Sequence, residues 1–173
     1  MRTTSQPLVS LILLNWNQPH FTLACLESLN KLTYSNYNVV IVDNGSGDNS
    51  LAQLEAVLGG LRFEVTLIAN SKNEGFAEGN NIGIRHALRN GAAYVLLLNN
   101  DTEVAPDFLE PLVQMAESDP QIGITGPKIY YFDDPDRIWS AGGLITKDGW
   151  THQLGVNEPN IPAFNSLRQV DYV

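Results

Sequence analysis

The sequence predicts an α/β fold, a mostly parallel sheet with flanking helices, followed by an irregular β region at the C-terminal end. Three observations carry this. Short apolar runs alternate with helical periodicity from residue 8 to about residue 118, the βαβα pattern of a parallel layer. No internal repeat or low-complexity tract interrupts it. From Ile122 glycine and proline become frequent and the helical period fades. At 173 residues the chain suits one structural domain that buries about two-thirds of the surface its unfolded form exposes. Within it, residues 1–120 are expected to form the α/β core and residues 121–173 the start of a β-rich region.

Leu8–Leu14 is the first buried strand, and Phe21, Cys25, Leu29 and Leu32 then recur at helical spacing. A second strand spans Asn38–Asp43. Leu51, Leu54 and Leu58 mark a second helix with Asp48 or Asn49 as its cap. Phe63–Ala69 is a third strand, and Glu78–Arg89 a third helix stopped by Asn90-Gly91. Tyr94–Asn99 is the fourth strand. Pro106 suits the first turn of a fourth helix whose inward face is Leu109, Leu112, Val113 and Ala116, ended by Ser118-Asp119-Pro120. Beyond it, Ile122–Tyr131 and Leu144–Thr146 suggest strands.

With 19 acidic and 10 basic residues the formal charge is −9, which disfavours nucleic acid and anionic lipid as partners. An anionic ligand would need helix N-termini, backbone amides or a bridging cation. Cys25 is the single cysteine, so no internal disulfide forms and a reducing, cytoplasmic compartment is expected. Its setting in LACLESL suits a buried structural thiol. MRTTSQPLVS has no apolar stretch of signal-peptide type, and no window approaches the ~20 apolar residues of a spanning helix. The sequons at Asn44 and Asn100 are therefore read as accidental.

In an open parallel sheet, ligands bind beyond the carboxyl ends of the strands. Those ends read Asn15-Trp16-Asn17, Asp43-Asn44-Gly45-Ser46 and Asn99-Asn100-Asp101-Thr102, so Trp16, Asp43 and Asp101 should share one rim. Each alone has a plainer reading as a turn, a cap or a lid on the core; their convergence favours a site. Trp16 offers an aromatic face for a nucleobase, and a strand-end carboxylate can accept from a base or ribose. Asp101 can give oxygen to a hard divalent cation, which takes its other ligands from phosphate and water. The stretch Asn73–Gly83 places Gly79, Asn80 and Asn81 near a helix start, where backbone N–H groups favour a polar or anionic ligand.

Competing motifs are absent. There is no G-x-x-x-x-G-K-[ST], no third glycine after Gly45-Ser46-Gly47, no H-x-x-x-H and no G-x-S-x-G. Asp133-Asp134-Pro135-Asp136 reads as a solvated acidic turn.

The chain resembles the inverting nucleotide-sugar glycosyltransferases of family 2, which have the GT-A fold. The resemblance rests on VSLILLNWN, CLESL, VVIVDNGSGD, NEGFAEGNNIGI, LLLNNDT, GPKIY and SAGG in that order, and the glycine-asparagine stretch is most similar to the rhamnosyltransferase-like branch. It implies that Trp16 flanks the base, that Asp43 binds base or ribose, and that Asn100-Asp101 stands at the Asp-X-Asp position with Asp101 meeting Mg2+ or Mn2+. With Asn15, Asn17, Asn44, Gly45, Gly79, Asn80 and Asn81 these residues form the expected donor site. The donor would be a dTDP-, UDP- or GDP-linked sugar, and the acceptor hydroxyl would belong to a glycan or lipid-linked glycan of a cell-surface polysaccharide. The full-length protein would then work at the inner face of the membrane.

Two departures from the family pattern matter. Asn99-Asn100-Asp101 carries one carboxylate where two or three are common. The region that supplies the family's catalytic base follows a segment like Val170-Asp171-Tyr172-Val173, so the base is expected beyond Val173, this chain is expected to be inactive or impaired alone, and its exposed apolar surface should promote self-association. A sugar-phosphate nucleotidyltransferase is a second reading, disfavoured because Asn15–Pro19 is neither basic nor glycine-rich. A degenerate sugar-nucleotide-binding module is a third.

Overall fold

The computed structural model describes residues 6–173. They fall into two compact units, the first ending at Asp107 and the second spanning Phe108–Val173. The first contains β1 (Val9–Asn15), α1 (Pro19–Leu29), β2 (Tyr37–Asp43), α2 (Ser50–Leu58), β3 (Glu64–Ala69), α3 (Phe76–Arg89) and β4 (Tyr94–Asn99).

The strands lie in the order β3-β2-β1-β4, all parallel. β1 and β2 are central and correspondingly the most continuously apolar, with Leu11, Ile12, Leu13, Val39, Val40, Ile41 and Val42 buried. The register pairs Asn15 with Asp43 and Leu14 with Asn99, so the polar strand ends fall on one edge. The chain runs outward from β1 to β3 and then returns to the other side of β1 as β4. That reversal opens a crevice between the carboxyl ends of β1 and β4.

Strand alternation sorts β1's side chains between the helices. Ile12 joins Val40, Val42 and Ala87 in a core cluster beneath α3. Asn15, of opposite parity, instead bonds Thr22 of α1. A Cβ at Gly83 would lie 2.5 Å from Ile12 Cγ2, and one at Gly79 2.5 Å from Leu14 Cδ1. These two glycines, one helical turn apart, let α3 seat closely on β1.

Several expectations need adjustment. The buried face of α1 is Pro19, Thr22, Cys25, Leu26, Ser28 and Leu29, whereas Phe21 is 43% exposed. Leu32 is buried but lies past the helix. α3 begins at Phe76 rather than Glu78, because Gly75 at φ 83° turns the chain into it earlier. Asn90 caps its end and Gly91 follows at φ 82°, as the Asn-Gly pair predicted. Asn49 stands at the N-cap of α2 without a side-chain capping bond.

The second unit contains α4 (Leu109–Ser118), β5 (Ile129–Tyr130), β6 (Ile138–Ser140), β7 (Gly143–Ile145), β8 (Thr151–Gln153) and a 3-10 turn at Pro162–Phe164. The sequence grouped α4 with the α/β layer; the compact units place it in the second. Pro106 is not in its first turn, since the Pro106 carbonyl accepts from Thr33 N at 2.8 Å and Thr33 Oγ1 at 3.0 Å instead of a helical N–H. β5 pairs antiparallel with β6, and β7 with β8. The strand expected over Ile122–Tyr131 shrinks to Ile129–Tyr130, with Gly123, Gly126 and Pro127 in the part that joins no ladder. Ile138 is fully buried, and only glycine fits at 143, where a Cβ would meet the Tyr172 ring at 1.9 Å. Among the described residues no helix is long and apolar enough to cross a membrane.

Candidate functional site

The turn after β1 presents Trp16. Asn17 and Gln18 both take left-handed φ, 56° and 50°, an unfavourable conformation for residues with a Cβ. Second-strand loop groups hold it there: Asn17 N donates to Ser46 Oγ at 2.8 Å, Gln18 N to Asp48 Oδ2 at 3.1 Å, and Gly47 N to Asn17 Oδ1 at 3.0 Å. Pro19 then starts α1 with its ready-made φ. The result leaves the Trp16 ring 57% exposed at the crevice.

Asp43 lies beneath this turn, 3% exposed. Its Oδ2 accepts from Asn15 Nδ2 at 2.8 Å and Ser46 Oγ at 2.7 Å, and its Oδ1 from Ser46 N at 3.0 Å. Asn44 is also buried, and its amide is fully used. Nδ2 donates to Asn73 Oδ1 and the Gly75 carbonyl, while Oδ1 accepts from Asn70 Nδ2 and Glu74 N, all at 3.0–3.2 Å. Asn44 therefore fastens the 70–75 loop and has no hydrogen-bonding capacity left for a ligand. Gly45, at φ 72°, lets that loop pass directly over it.

The turn after β4 carries Asp101, which is exposed. Its neighbour Asn100 donates from Nδ2 to Thr22 Oγ1 at 2.9 Å, and Thr102 Oγ1 donates to the Asn99 carbonyl at 2.7 Å. Cys25 sits under the same turn. Burial pushes its thiol up to about 12, and the Asp101 and Glu103 carboxylates add to it. That makes it an inert structural thiol, as its sequence setting suggested.

These elements enclose a cleft of about 440 Å³ in the first unit. Of the residues singled out from sequence, Trp16, Asn17, Asn44, Asn80, Asn100 and Asp101 line it. Asn15, Asp43 and Gly45 lie behind the wall, so Asp43 supports the rim from below rather than sharing it. Gly79 is a packing position against Leu14. Asn81 is exposed and lies outside the cleft. Sequence reasoning missed Phe21, Asn73 and Phe76, which also line the cleft, Phe76 with 69% exposure. Phe21 had been spent on the helix core face, and Phe76 fell outside the predicted helix.

Among the described lining residues Asp101 is the one charged side chain, and none is Lys, Arg or His. Three aromatic rings suit a flat ring system. An anion, by contrast, would meet no fixed positive side chain. Amide and carboxylate oxygens at Asn99, Asn100 and Asp101 are hard donors of the kind Mg2+ and Mn2+ accept. No group of three His, Cys, Asp or Glu side chains that could hold a metal unaided occurs among the described residues. The donor set thus fits a cation that brings phosphate and water ligands with it.

Comparison with known proteins identifies the family. The sequence model described as Glycosyl transferase family 2 matches residues 10–172. An uncharacterized glycosyltransferase of Haemophilus influenzae is 32% identical over 115 residues, 66% of this chain and 36% of that protein. The dTDP-rhamnosyl transferase RfbF of Shigella flexneri is 28% identical over 149 residues, 82% of this chain and 47% of that protein. The chain therefore spans less than half the length of these relatives. Among solved structures, the Pyrobaculum calidifontis mannosyltransferase PcManGT in complex with GDP-Man and Mn2+ superposes with TM-score 0.63 at 24% identity, over 69% of this chain and 35% of that one. S. aureus TarS 1-349 in complex with UDP-GlcNAc gives 0.56 at 17%, over 70% and 40%. The chain belongs to glycosyltransferase family 2, and its parallel α/β layer is that of the GT-A fold.

Proposed function

We propose that the first unit binds a nucleoside diphosphate sugar in the β1/β4 cleft, and that the whole protein transfers the sugar, with inversion, to an acceptor hydroxyl. The observation that carries this is the meeting of exposed aromatic rings with the Asp101 carboxylate in a cleft whose described lining residues include no other charged side chain. Trp16 gives the base a stacking face, and Phe76 stands in the same cleft as a further apolar wall. Asp43, through Asn15 and Ser46, holds the turn that carries Trp16. Asp101 and its amide neighbours offer oxygens to Mg2+ or Mn2+, which when bound supplies the positive charge that a diphosphate needs here. Among the described lining residues Asp101 is the sole carboxylate, so the base that deprotonates the acceptor is assigned to another part of the whole protein.

The RfbF relative is named for a dTDP donor, and the structural neighbours hold GDP-Man and UDP-GlcNAc, so dTDP, UDP and GDP are the nucleotides to compare. A glycan or lipid-linked glycan is the proposed acceptor. Base stacking on an aromatic ring contributes about 1–3 kcal/mol. Trp16→Ala is accordingly expected to weaken nucleoside diphosphate binding by about five-fold or more, and to abolish ligand-induced quenching of tryptophan fluorescence while Trp139 and Trp150 still emit. Equal affinity in Trp16→Ala would remove Trp16 from the site.

A further inference from the structure

We infer that Thr22 of α1 is a positioning residue for the Asp101 turn, and that the amide at position 100, where a carboxylate would have added a ligand, is required by hydrogen-bond polarity. The inference rests on the donor-site reading above and adds a residue to which no role has been given.

The direction of each bond follows from Asp43. Its oxygens accept from three donors, so Asn15 must turn Nδ2 toward it and Oδ1 away. Thr22 Oγ1 donates its single proton to that Oδ1 at 2.7 Å. Only lone pairs of Thr22 then face Asn100, whose Nδ2 lies 2.9 Å away. An Asn side chain satisfies them; an ionised Asp, an acceptor on both oxygens, opposes them. One carboxylate under Trp16 thus fixes, through two side chains, the orientation of the residue beside Asp101.

α1 continues the hold along the segment after β4. Thr22 meets Asn100, and about two turns on Ser28 Oγ accepts from Val104 N at 3.2 Å. Helical spacing puts Thr22 and Ser28 toward the same side of α1, where they engage the turn after β4 and the segment that follows it. α1 thereby acts as a splint that sets the Asp101 carboxylate against the base-stacking turn.

The test is calorimetric binding of dTDP, UDP and GDP, with Mn2+ and with EDTA, to the wild-type chain, Thr22→Val, Thr22→Ser and Asn100→Asp, with melting curves to establish folding. Thr22→Val is expected to lower Mn2+-dependent affinity at least ten-fold while affinity in EDTA stays within about two-fold, and Thr22→Ser to restore it. Asn100→Asp, despite its added carboxylate, is expected not to tighten Mn2+-dependent binding. Should Thr22→Val unfold, Thr22→Ala removes the same hydroxyl with a smaller side chain, and the same ten-fold loss is expected of it. Unchanged Mn2+-dependent affinity in the folded variant, an equal loss in EDTA, or tighter binding by Asn100→Asp overturns the inference alone. Wild-type chain that binds no nucleoside diphosphate with Mn2+ defeats the donor-site reading, and this inference falls with it.

Discussion

Gly45→Ala is expected to destabilise the chain by about 2–5 kcal/mol. Gly45 has φ 72°, and a left-handed conformation costs an alanine about 1–2 kcal/mol. The added methyl would also lie 2.3 Å from the Lys72 carbonyl carbon, 2.5 Å from Lys72 Cα and 2.8 Å from Asn73 N. These are backbone atoms, which cannot rotate aside as a side chain would, and overpacking typically adds about 1–3 kcal/mol. Relief requires the 70–75 loop to lift, which breaks the four bonds of Asn44 and moves Asn73 and Phe76 out of the cleft wall. Gly47→Ala is the control, since nothing lies within 4 Å of its added carbon. Urea unfolding of the two variants beside wild type measures the difference; a Gly45→Ala loss under about 1 kcal/mol would show that the loop yields easily.

Asp101→Ala is expected to leave the unliganded stability within about 0.5 kcal/mol, because the side chain is exposed. Its effect should appear only with ligand. A nucleoside diphosphate at ~100 times its dissociation constant stabilises the native state by about 2.7 kcal/mol. With no basic residue among the described residues lining the cleft, the cation-dependent part of that gain falls to Asp101. Melting curves with nucleotide and Mn2+ should therefore collapse in the variant onto those with nucleotide and EDTA. A cation-dependent shift that survives Asp101→Ala would place the metal elsewhere.

The parallel layer was legible in the sequence because each of its signals is local. The four strands fall within two residues of their expected bounds, since an apolar run ending on polar residues marks both a buried strand and its carboxyl end. Sheet topology then brought Trp16, Asn100 and Asp101 to one cleft without further information. What escaped was long-range. The Thr22–Asn100 bond joins residues 78 apart, and in FTLACLESL the Thr22, Cys25 and Ser28 face looks like ordinary small-residue packing. Asn44 was read as a group open to a ligand because composition does not reveal that neighbours have already taken its capacity. Gly79 looked like a place for a ligand to approach the backbone, and it is where α3 approaches β1. In the second unit, strands of two or three residues such as β6 and β8 are too short to show any period.

The central claim is that the β1/β4 cleft takes a nucleoside diphosphate through aromatic stacking and a cation held at Asp101. Isothermal titration of the wild-type chain with dTDP, UDP and GDP, each with Mn2+ and with EDTA, tests it most directly. The account predicts that at least one nucleotide binds, and that Mn2+ tightens that binding by about ten-fold or more, about 1.4 kcal/mol. Failure of all three to bind, or affinities unchanged by Mn2+, would contradict it.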